Sequence, residues 1–333
     1  MLLAAVRALL KPRCQSRLTL ACLIAPHPSR LCSSNSNSNS PKSSTWRQLN
    51  RIPTPACIHP DTPEAQTPTE TSTSTIFPPE IEALYRGNQR FRDAIAASAT
   101  PDVLKDLASQ GQRPPFLLLD CSDSRVGEQV IFSAEPGTLF TTGNVANQFH
   151  EHDLNSKAVL AYAVDVLKVK HVIVMGHYGC GGVAAATLPV PESEVNNLGP
   201  VQDWIAPIRG IYDTSERPEI VRHRETHKIK VELESKEQWA KEVAAPPQPH
   251  LHDPAFRALV EENVKANVQR IARSAVISNH YADLATRPEH EREGVFIHGW
   301  VYDIETGEVA DLGVTVGPPG QKLPVTPFPT HHT

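Results

Sequence analysis

The sequence predicts an α/β domain with a mainly parallel β-sheet flanked by helices, preceded by a disordered N-terminal leader. Two segments, Phe116–Leu119 ("FLLL") and His171–His177 ("HVIVMGH"), carry unbroken apolar runs of the kind found in strands covered on both faces. A helical pattern from Lys157 to Leu167 lies between them, and strand–helix–strand order favours parallel pairing. We expect the domain over residues 76–320, followed by a tail at 321–333.

The other elements are predicted from periodicity and turn residues. A helix begins near Pro78, because the apolar residues after it follow helical spacing, and a second long helix runs from Pro254 to Ile277. A further strand is expected at Thr138–Thr142, and a hairpin turns at Glu305–Gly307. Residues 214–252 are charged and rich in proline, which predicts an exposed insertion.

Composition excludes two classes of partner. The formal net charge of −5 argues against a strongly basic face, so we expect no nucleic-acid partner. No window approaches the run of about 18 apolar residues needed to cross a bilayer, so we expect no membrane span. A hydrophobic content of 40% is sufficient for a substantial core.

Residues 1–75 are predicted to be a transit peptide and a disordered linker. The first acidic residue is Asp61, whereas eight lysines and arginines precede it together with a Ser/Asn run at Ser33–Ser40. This profile is typical of organelle targeting, and we expect the mitochondrial matrix. Two alternatives are a secretory signal built on Leu18–Ala25, which is short and late, and an untargeted leader that leaves the chain in the cytoplasm.

The cysteines point to a metal rather than to disulfides. Four of the six lie in the first sixty residues, and the folded region keeps only Cys121 and Cys180. Cys121 follows one apolar strand, while His177 and Cys180 follow another, and the carboxyl ends of neighbouring parallel strands converge. One imidazole and two thiolates suit zinc, and three protein ligands leave a fourth position open, as catalytic zinc requires. Taken singly, each cysteine is more often a small buried hydrophobe.

The motifs "CSDSR" (Cys121–Arg125) and "HYGCGG" (His177–Gly182) resemble those of the β-class carbonic anhydrases. The likeness extends from Pro78 to Val316 and includes "RGNQRF", "GNVAN", "NVKANVQRI" and "HGWVYDIETG". It implies the β-carbonic anhydrase fold and reversible hydration of carbon dioxide to bicarbonate and a proton, by hydroxide held on zinc. It also implies one zinc per subunit and a homodimer or homotetramer whose active site is completed by a neighbouring subunit.

The resemblance also assigns site residues. Cys121, His177 and Cys180 are the implied zinc ligands, and Asp123 with Arg125 is the implied catalytic pair. Two thiolates cancel the formal charge of zinc, so an acceptor such as Asp123 is needed to orient the proton of the nucleophile. Arg125 can keep Asp123 ionised. If the pair breaks, the carboxylate can itself occupy the fourth position on zinc.

Four further residues are predicted to bind substrate. Gln112 corresponds to a glutamine that holds bicarbonate in the family, and Phe149 and Tyr178 are candidates for the apolar carbon dioxide pocket. The glycines after His177, including Gly181, leave backbone N–H groups free for an anion. Ordinary packing is the alternative interpretation of Phe149 and Tyr178.

Asp120 departs from the family pattern, in which a small residue precedes the first cysteine. Because side chains alternate along a strand, Asp120 should point away from the metal and needs a partner there, unless a bulge turns it inward. Two other functions are compatible with the motifs. One is hydrolysis of carbon disulfide or carbonyl sulfide, and the other is an inert zinc-binding homologue, for which a fourth protein ligand would be needed.

Overall fold

A computed structural model describes residues 77–189, 195–226, 249–288, 290 and 293–330. Residues Ser74–Thr333 form one compact unit. The whole predicted leader at 1–75 lies outside the described residues, as does the middle of the predicted insertion at 227–248.

The unit is built on a five-stranded sheet in the order β2-β1-β3-β4-β5. The strands are β1 (Phe116–Cys121), β2 (Leu139–Asn144), β3 (His171–His177), β4 (Phe296–Tyr302) and β5 (Val309–Asp311). The first four pair in parallel, and β5 pairs antiparallel with β4 through the predicted hairpin. The prediction of a mainly parallel sheet flanked by helices is therefore confirmed.

The described residues form nine α-helices, one short 3-10 turn and one π-helical segment. They are α1 (Pro79–Ala96), α2 (Val103–Gln110), α3 (Glu128–Ile131), a 3-10 turn (Val145–Asn147), α4 (Leu154–Ala161) continued by a π-helix (Tyr162–Leu167), α5 (Gly181–Ala186), α6 (Val195–Thr214), α7 (218–226), α8 (Pro254–Ala272) and α9 (Ala275–Thr286). The predicted helix from Pro254 to Ile277 is two helices, because the Ser274 side chain accepts a hydrogen bond from the Ile277 N–H and starts a new helix there.

The two faces of the sheet carry different cores. The larger core lies under α8, whose Val264 and Val268 pack against the glycines of β3 and β4. A Cβ added at Gly176 would lie 2.5 Å from a methyl of Val264, so glycine is what lets α8 approach the end of β3. The smaller core on the other face contains Leu118 and Trp300.

The described first part of the predicted exposed insertion, residues 214–226, consists almost wholly of exposed and half-buried residues, but it also packs onto the domain. Ile220 on α7 is fully buried, and Arg217 donates to the buried Glu261 of α8 at 2.6 Å. The many charges in this segment suggested a solvated loop, but several of them pair with α6 and α8.

The predicted tail also belongs to the fold up to residue 330. Phe328 packs on Trp300 with ring centroids 4.8 Å apart, and Thr330 bridges to Asp311 of β5. The domain boundary at 320 is therefore too early, because an aromatic contact anchors the segment that follows. Over the part of the chain that the structure describes, no helix has the length and apolar character needed to cross a membrane.

Candidate active site

The sheet brings three potential metal ligands together. Cys121 ends β1, His177 ends β3, and these strands are parallel neighbours, so both side chains emerge at one edge. Cys180 follows after a tight turn in which Gly179 adopts φ +76°, and it stands directly before α5. The ligand atoms of the three residues lie within 4.8 Å of one another, and all three side chains are buried.

The imidazole of His177 is oriented for a metal. Its Nδ1 lies 3.0 Å from the carbonyl oxygen of Tyr178, and because a carbonyl only accepts, Nδ1 must carry the proton. The other nitrogen, Nε2, is then an acceptor, and it is buried without a hydrogen-bond partner among the described residues. A carbonyl on one nitrogen and a free lone pair on the other is the usual arrangement of a metal-binding histidine.

The two thiols act on each other. Their Sγ atoms are 3.9 Å apart, well beyond a disulfide bond, and both cysteines are free. Because Cys180 shares its proton with Cys121, the pKa of the Cys121 thiol is lowered and that of Cys180 is raised well above its usual value. Cys121 therefore ionises easily, whereas Cys180 loses its proton only when a cation is bound. A metal ion supplies that cation, because a coordinating thiol is deprotonated by its metal. The residues present therefore fit a zinc ion.

Asp123 and Arg125 form a two-pronged ion pair beside these ligands. The Nε and Nη2 atoms of Arg125 lie 2.8 Å from Oδ1 and 2.7 Å from Oδ2 of Asp123. The arginine also donates to the carbonyl of Gly179 at 3.1 Å, which ties the pair to the turn before Cys180. Hydrogen bonding from Arg125 lowers the pKa of Asp123 to about 2, so the carboxylate is ionised at neutral pH.

The pair lies between the ligands and solvent. Oδ2 of Asp123 is 3.8 Å from Nε2 of His177, too far for a hydrogen bond but close enough to face the same small space. The Asp123 side chain is 17% exposed and that of Arg125 42%, whereas His177 is fully buried. A Cβ added at Gly181 would meet nothing within 4 Å, so the chain leaves room there.

Of the remaining predicted substrate residues, one is exposed and two contact α8. Gln112 is exposed in the connection between α2 and β1. Phe149 is buried, and its N–H donates to Asn267 of α8 at 2.9 Å. The Tyr178 hydroxyl donates to Glu261 at 2.8 Å, and the Arg257 guanidinium covers its ring at 3.4 Å. Tyr178 reaches the histidine through its carbonyl, and the substrate roles stay predictions.

Asp120 points away from the metal ligands, as strand alternation predicts. It follows the same face as Leu118, whereas Cys121 shares the opposite face with Leu119. The expected partner is missing: both carboxyl oxygens are buried without a hydrogen-bond partner among the described residues. Burial, followed by the nearby charge of Glu128, raises the pKa of Asp120 to about 9.

A second set of residues contacts the site without having been assigned a role. The N–H of Ala146 points at the Cys121 sulfur at 3.4 Å, and the carbonyl of Ala146 accepts hydrogen bonds from Gln148 and Asn263. Ala146 lies in the motif "GNVAN", Gln148 directly follows that motif, and Asn263 is the first residue of the motif "NVKANVQRI". The signal available in the sequence was the occurrence of asparagines inside an otherwise apolar helix face.

Comparisons with known proteins agree with this geometry. The carbonic anhydrase family model matches residues 116–309. A carbonic anhydrase of Emericella nidulans is 32% identical over 221 residues, which cover 66% of this chain and 78% of that protein.

Solved structures show the same fold. The Coccomyxa β-carbonic anhydrase, solved in complex with acetazolamide, aligns with a TM-score of 0.54 at 27% identity and covers 72% of this chain and 89% of its own. A tetrameric β-carbonic anhydrase of Sordaria macrospora aligns with a TM-score of 0.52 at 24% identity, over 71% of this chain and 98% of its own. By fold, by sequence and by the donor set at its sheet edge, the chain belongs to the β-class carbonic anhydrases, a family of enzymes.

Proposed function

We propose that this chain hydrates carbon dioxide reversibly to bicarbonate and a proton, with one zinc ion per subunit bound by Cys121, His177 and Cys180. The observation that carries the proposal is the convergence of two sulfurs and one unpartnered imidazole nitrogen within 4.8 Å in a buried position. Zinc held by three protein ligands acts as a Lewis acid and provides a nucleophile at neutral pH by lowering the pKa of water.

Asp123 supplies a hydrogen-bond acceptor in this proposal. Its Oδ2 faces the space in front of His177 Nε2, where it would accept a hydrogen bond from the attacking oxygen and so fix that oxygen's orientation. Arg125 occupies both carboxylate oxygens from the other side, which keeps Asp123 ionised and holds its carboxylate in place. While this fork is intact, Asp123 serves as an acceptor and not as a fourth ligand.

We further propose that the working enzyme contains at least two copies of the chain. No residue of α1 is buried, although its apolar side chains include Leu84, Tyr85 and Phe91, which are 73%, 62% and 46% exposed. An apolar helix face left open by its own chain is typical of an interface. The tetrameric Sordaria macrospora structure gives this proposal a precedent.

We also propose that residues 1–75 direct the chain to the mitochondrial matrix, on the basis of their arginine-rich, acid-poor composition. A fluorescent fusion to the full chain tests this. Replacing the first four basic residues (Arg7, Lys11, Arg13 and Arg17) by glutamine should release the fusion into the cytoplasm. Secretion, or unchanged cytoplasmic signal in both forms, contradicts it.

The catalytic proposal is tested by stopped-flow hydration of carbon dioxide with zinc measured on the same sample of full-length protein. We expect hydration to rise in proportion to zinc, up to one ion per subunit. Parallel assays with carbon disulfide and carbonyl sulfide address the alternative substrates. A protein loaded with zinc that hydrates no carbon dioxide, or that turns over only the sulfur analogues, contradicts the proposal.

A further inference from the structure

The backbone beside Cys121 is held in an unfavourable conformation. Ala146 and Asn147 have φ values of 60° and 48°, in the left-handed region, which asparagine tolerates but alanine rarely adopts. The conformation of Ala146 must therefore be imposed by contacts. Its result is that the Ala146 N–H lies 3.4 Å from the Cys121 sulfur.

The contacts that impose this conformation come from a buried amide network. Asn263 of α8 donates from Nδ2 to the Ala146 carbonyl at 3.0 Å, and Gln148 donates from Nε2 to the same oxygen at 2.7 Å. Asn263 and Gln148 are both fully buried. The single carbonyl thus receives two donors, while the N–H of the same residue faces the sulfur.

The orientation of the Asn263 amide is itself fixed. Its Oδ1 accepts from Gln148 Nε2 at 2.6 Å and from Asn267 Nδ2 at 3.1 Å, so Nδ2 is the atom left to face Ala146. Asn267 in turn accepts from the Phe149 N–H at 2.9 Å and from Arg270 at 2.8 Å. The asparagines of α8 therefore hydrogen-bond to the backbone of the segment after β2 at two places, Ala146 and Phe149.

Neighbouring elements further restrict the backbone of the segment after β2. Trp204 of α6 donates from Nε1 to the Val145 carbonyl at 2.9 Å. Gly182, two residues after Cys180, packs so closely that an added Cβ would lie 3.0 Å from the Cβ of Ala146. The peptide is held by hydrogen bonds from α6 and α8 and packs against the first turn of α5, directly after Cys180.

We propose that Asn263 and Gln148 are positioning residues that hold the strained Ala146 peptide against Cys121, so that its N–H tunes this sulfur as a metal ligand. A hydrogen bond to a thiolate withdraws electron density from it, which leaves the bound ion more electrophilic. Outer partners of this kind both orient a ligand and adjust the metal. The inference rests on the proposed zinc site.

The test compares Asn263→Ala with wild type for zinc affinity and for the absorption spectrum of the cobalt-substituted protein. Losing an outer partner typically lowers metal affinity about 10–100-fold. We expect a loss in this range. We also expect the sulfur-to-cobalt charge-transfer band to move to lower energy, because a sulfur without its N–H donor gives up an electron more easily. Asn279→Ala, an exposed asparagine of α9, is the matched control.

A rescue variant separates positioning from packing. Glycine adopts the left-handed conformation without strain, so Ala146→Gly should restore part of the zinc affinity and of the band position in the Asn263→Ala background. If the network only filled space, this second substitution would add to the damage. Gln148→Ala removes the other donor to the same carbonyl, and it carries the test should Asn263→Ala fail to fold.

The outcomes separate this inference from the proposed function. Wild-type protein that binds neither zinc nor cobalt defeats the proposed zinc site itself. Wild-type protein that binds both, with an Asn263→Ala variant of unchanged affinity and spectrum, overturns only the positioning role. Failure of both Asn263→Ala and Gln148→Ala to fold, without recovery by Ala146→Gly, also overturns it, because the network is then a packing element.

Discussion

The guanidinium of Arg125 grips both carboxylate oxygens of Asp123, at 2.8 Å and 2.7 Å, while also donating to the carbonyl of Gly179. This places an ionised carboxylate directly in front of the buried histidine nitrogen. Arg125 thereby links the segment after β1 to the turn after β3. The arrangement makes the pair part of the site's geometry and more than a surface ion pair.

Asp123→Asn is expected to keep the metal and lose most hydration. The amide has the same shape but no charge, so it accepts a hydrogen bond more weakly and loses its ionic pairing with Arg125. The attacking oxygen is then less firmly oriented, and misplacing a reacting group can cost about 10²-fold in rate. Turnover by stopped flow, with zinc measured on the same sample, checks this. Asp102→Asn, which breaks an exposed pair with Lys105 on α2, is the control. Near-normal turnover in zinc-loaded Asp123→Asn protein would refute the role assigned to Asp123.

Asp120→Asn is expected to stabilise the fold. Because burial raises the pKa of Asp120 to about 9, the carboxyl must take up a proton on folding at neutral pH, whereas an amide is neutral in both states. The free energy of unfolding at neutral pH should therefore rise, by an amount on the order of the 1–3 kcal/mol that desolvating a polar group costs. Thermal unfolding at fixed protein and zinc concentration measures it.

The same Asp120→Asn protein tests which way the side chain faces. Because Asp120 lies on the face opposite Cys121, the pH profile of hydration should not move. Glu128→Gln, which removes the charge next to Asp120, should also raise the free energy of unfolding. A displaced pH profile would show that Asp120 acts on the metal site after all.

His298 is expected to make the fold sensitive to acid. Its ring lies 2.9 Å from His171 and 3.1 Å from the Thr315 hydroxyl, and burial lowers its pKa from 6.5 to about 4. Between these two values the unfolded chain binds a proton that the folded chain does not. Stability contributed by the neutral ring is therefore lost as the pH falls from 6.5 towards 4.

His298→Gln should flatten this dependence. One proton corresponds to about 1.4 kcal/mol per pH unit, and the variant should lose up to that slope between pH 6.5 and 4. Urea unfolding of both proteins across this range gives the slope of the unfolding free energy against pH. Any loss of metal at low pH affects both proteins equally and so does not change the difference between their slopes. His152→Gln, an exposed histidine, is the control. Equal slopes for wild type and His298→Gln would contradict the assignment.

Leu84→Glu is expected to split the assembly. Leu84 is 73% exposed on a helix that buries none of its own residues, so a charge there costs the single chain little and an interface much. Native mass spectrometry should show the wild type as a dimer or larger and the variant as a monomer. Arg90→Glu, at an exposed position on the opposite face of the same helix, should leave the assembly unchanged. A monomeric wild type would contradict the proposed assembly.

Local pattern predicted the sheet and the convergence of the ligands, because both depend on short-range features. Unbroken apolar runs identified β1 and β3, and the parallel pairing of those strands then brings Cys121 and His177 to one edge. Strand alternation was also enough to place Asp120 on the far face. Nothing local predicted its lack of a partner, since that depends on what packs there.

Features that depend on long-range packing were missed. Ile220 is buried by elements that are distant in sequence. Because only its charged neighbours are visible in the local sequence, that segment suggested an exposed loop. The contact between Ala146 and Asn263 joins residues more than a hundred positions apart, and the left-handed Ala146 carries no glycine to signal it. The two motifs could be recognised separately, but their contact could not.

We propose that two sulfurs and one imidazole nitrogen hold a single zinc ion and leave one position for a non-protein ligand. X-ray absorption at the zinc edge of the full-length protein is the sharpest check of this ligand set. We expect two sulfurs at about 2.3 Å from zinc and two nitrogen or oxygen atoms at about 2.0–2.1 Å, one of them exchangeable with added anions. A shell of four permanent protein ligands, or zinc without sulfur, would contradict it.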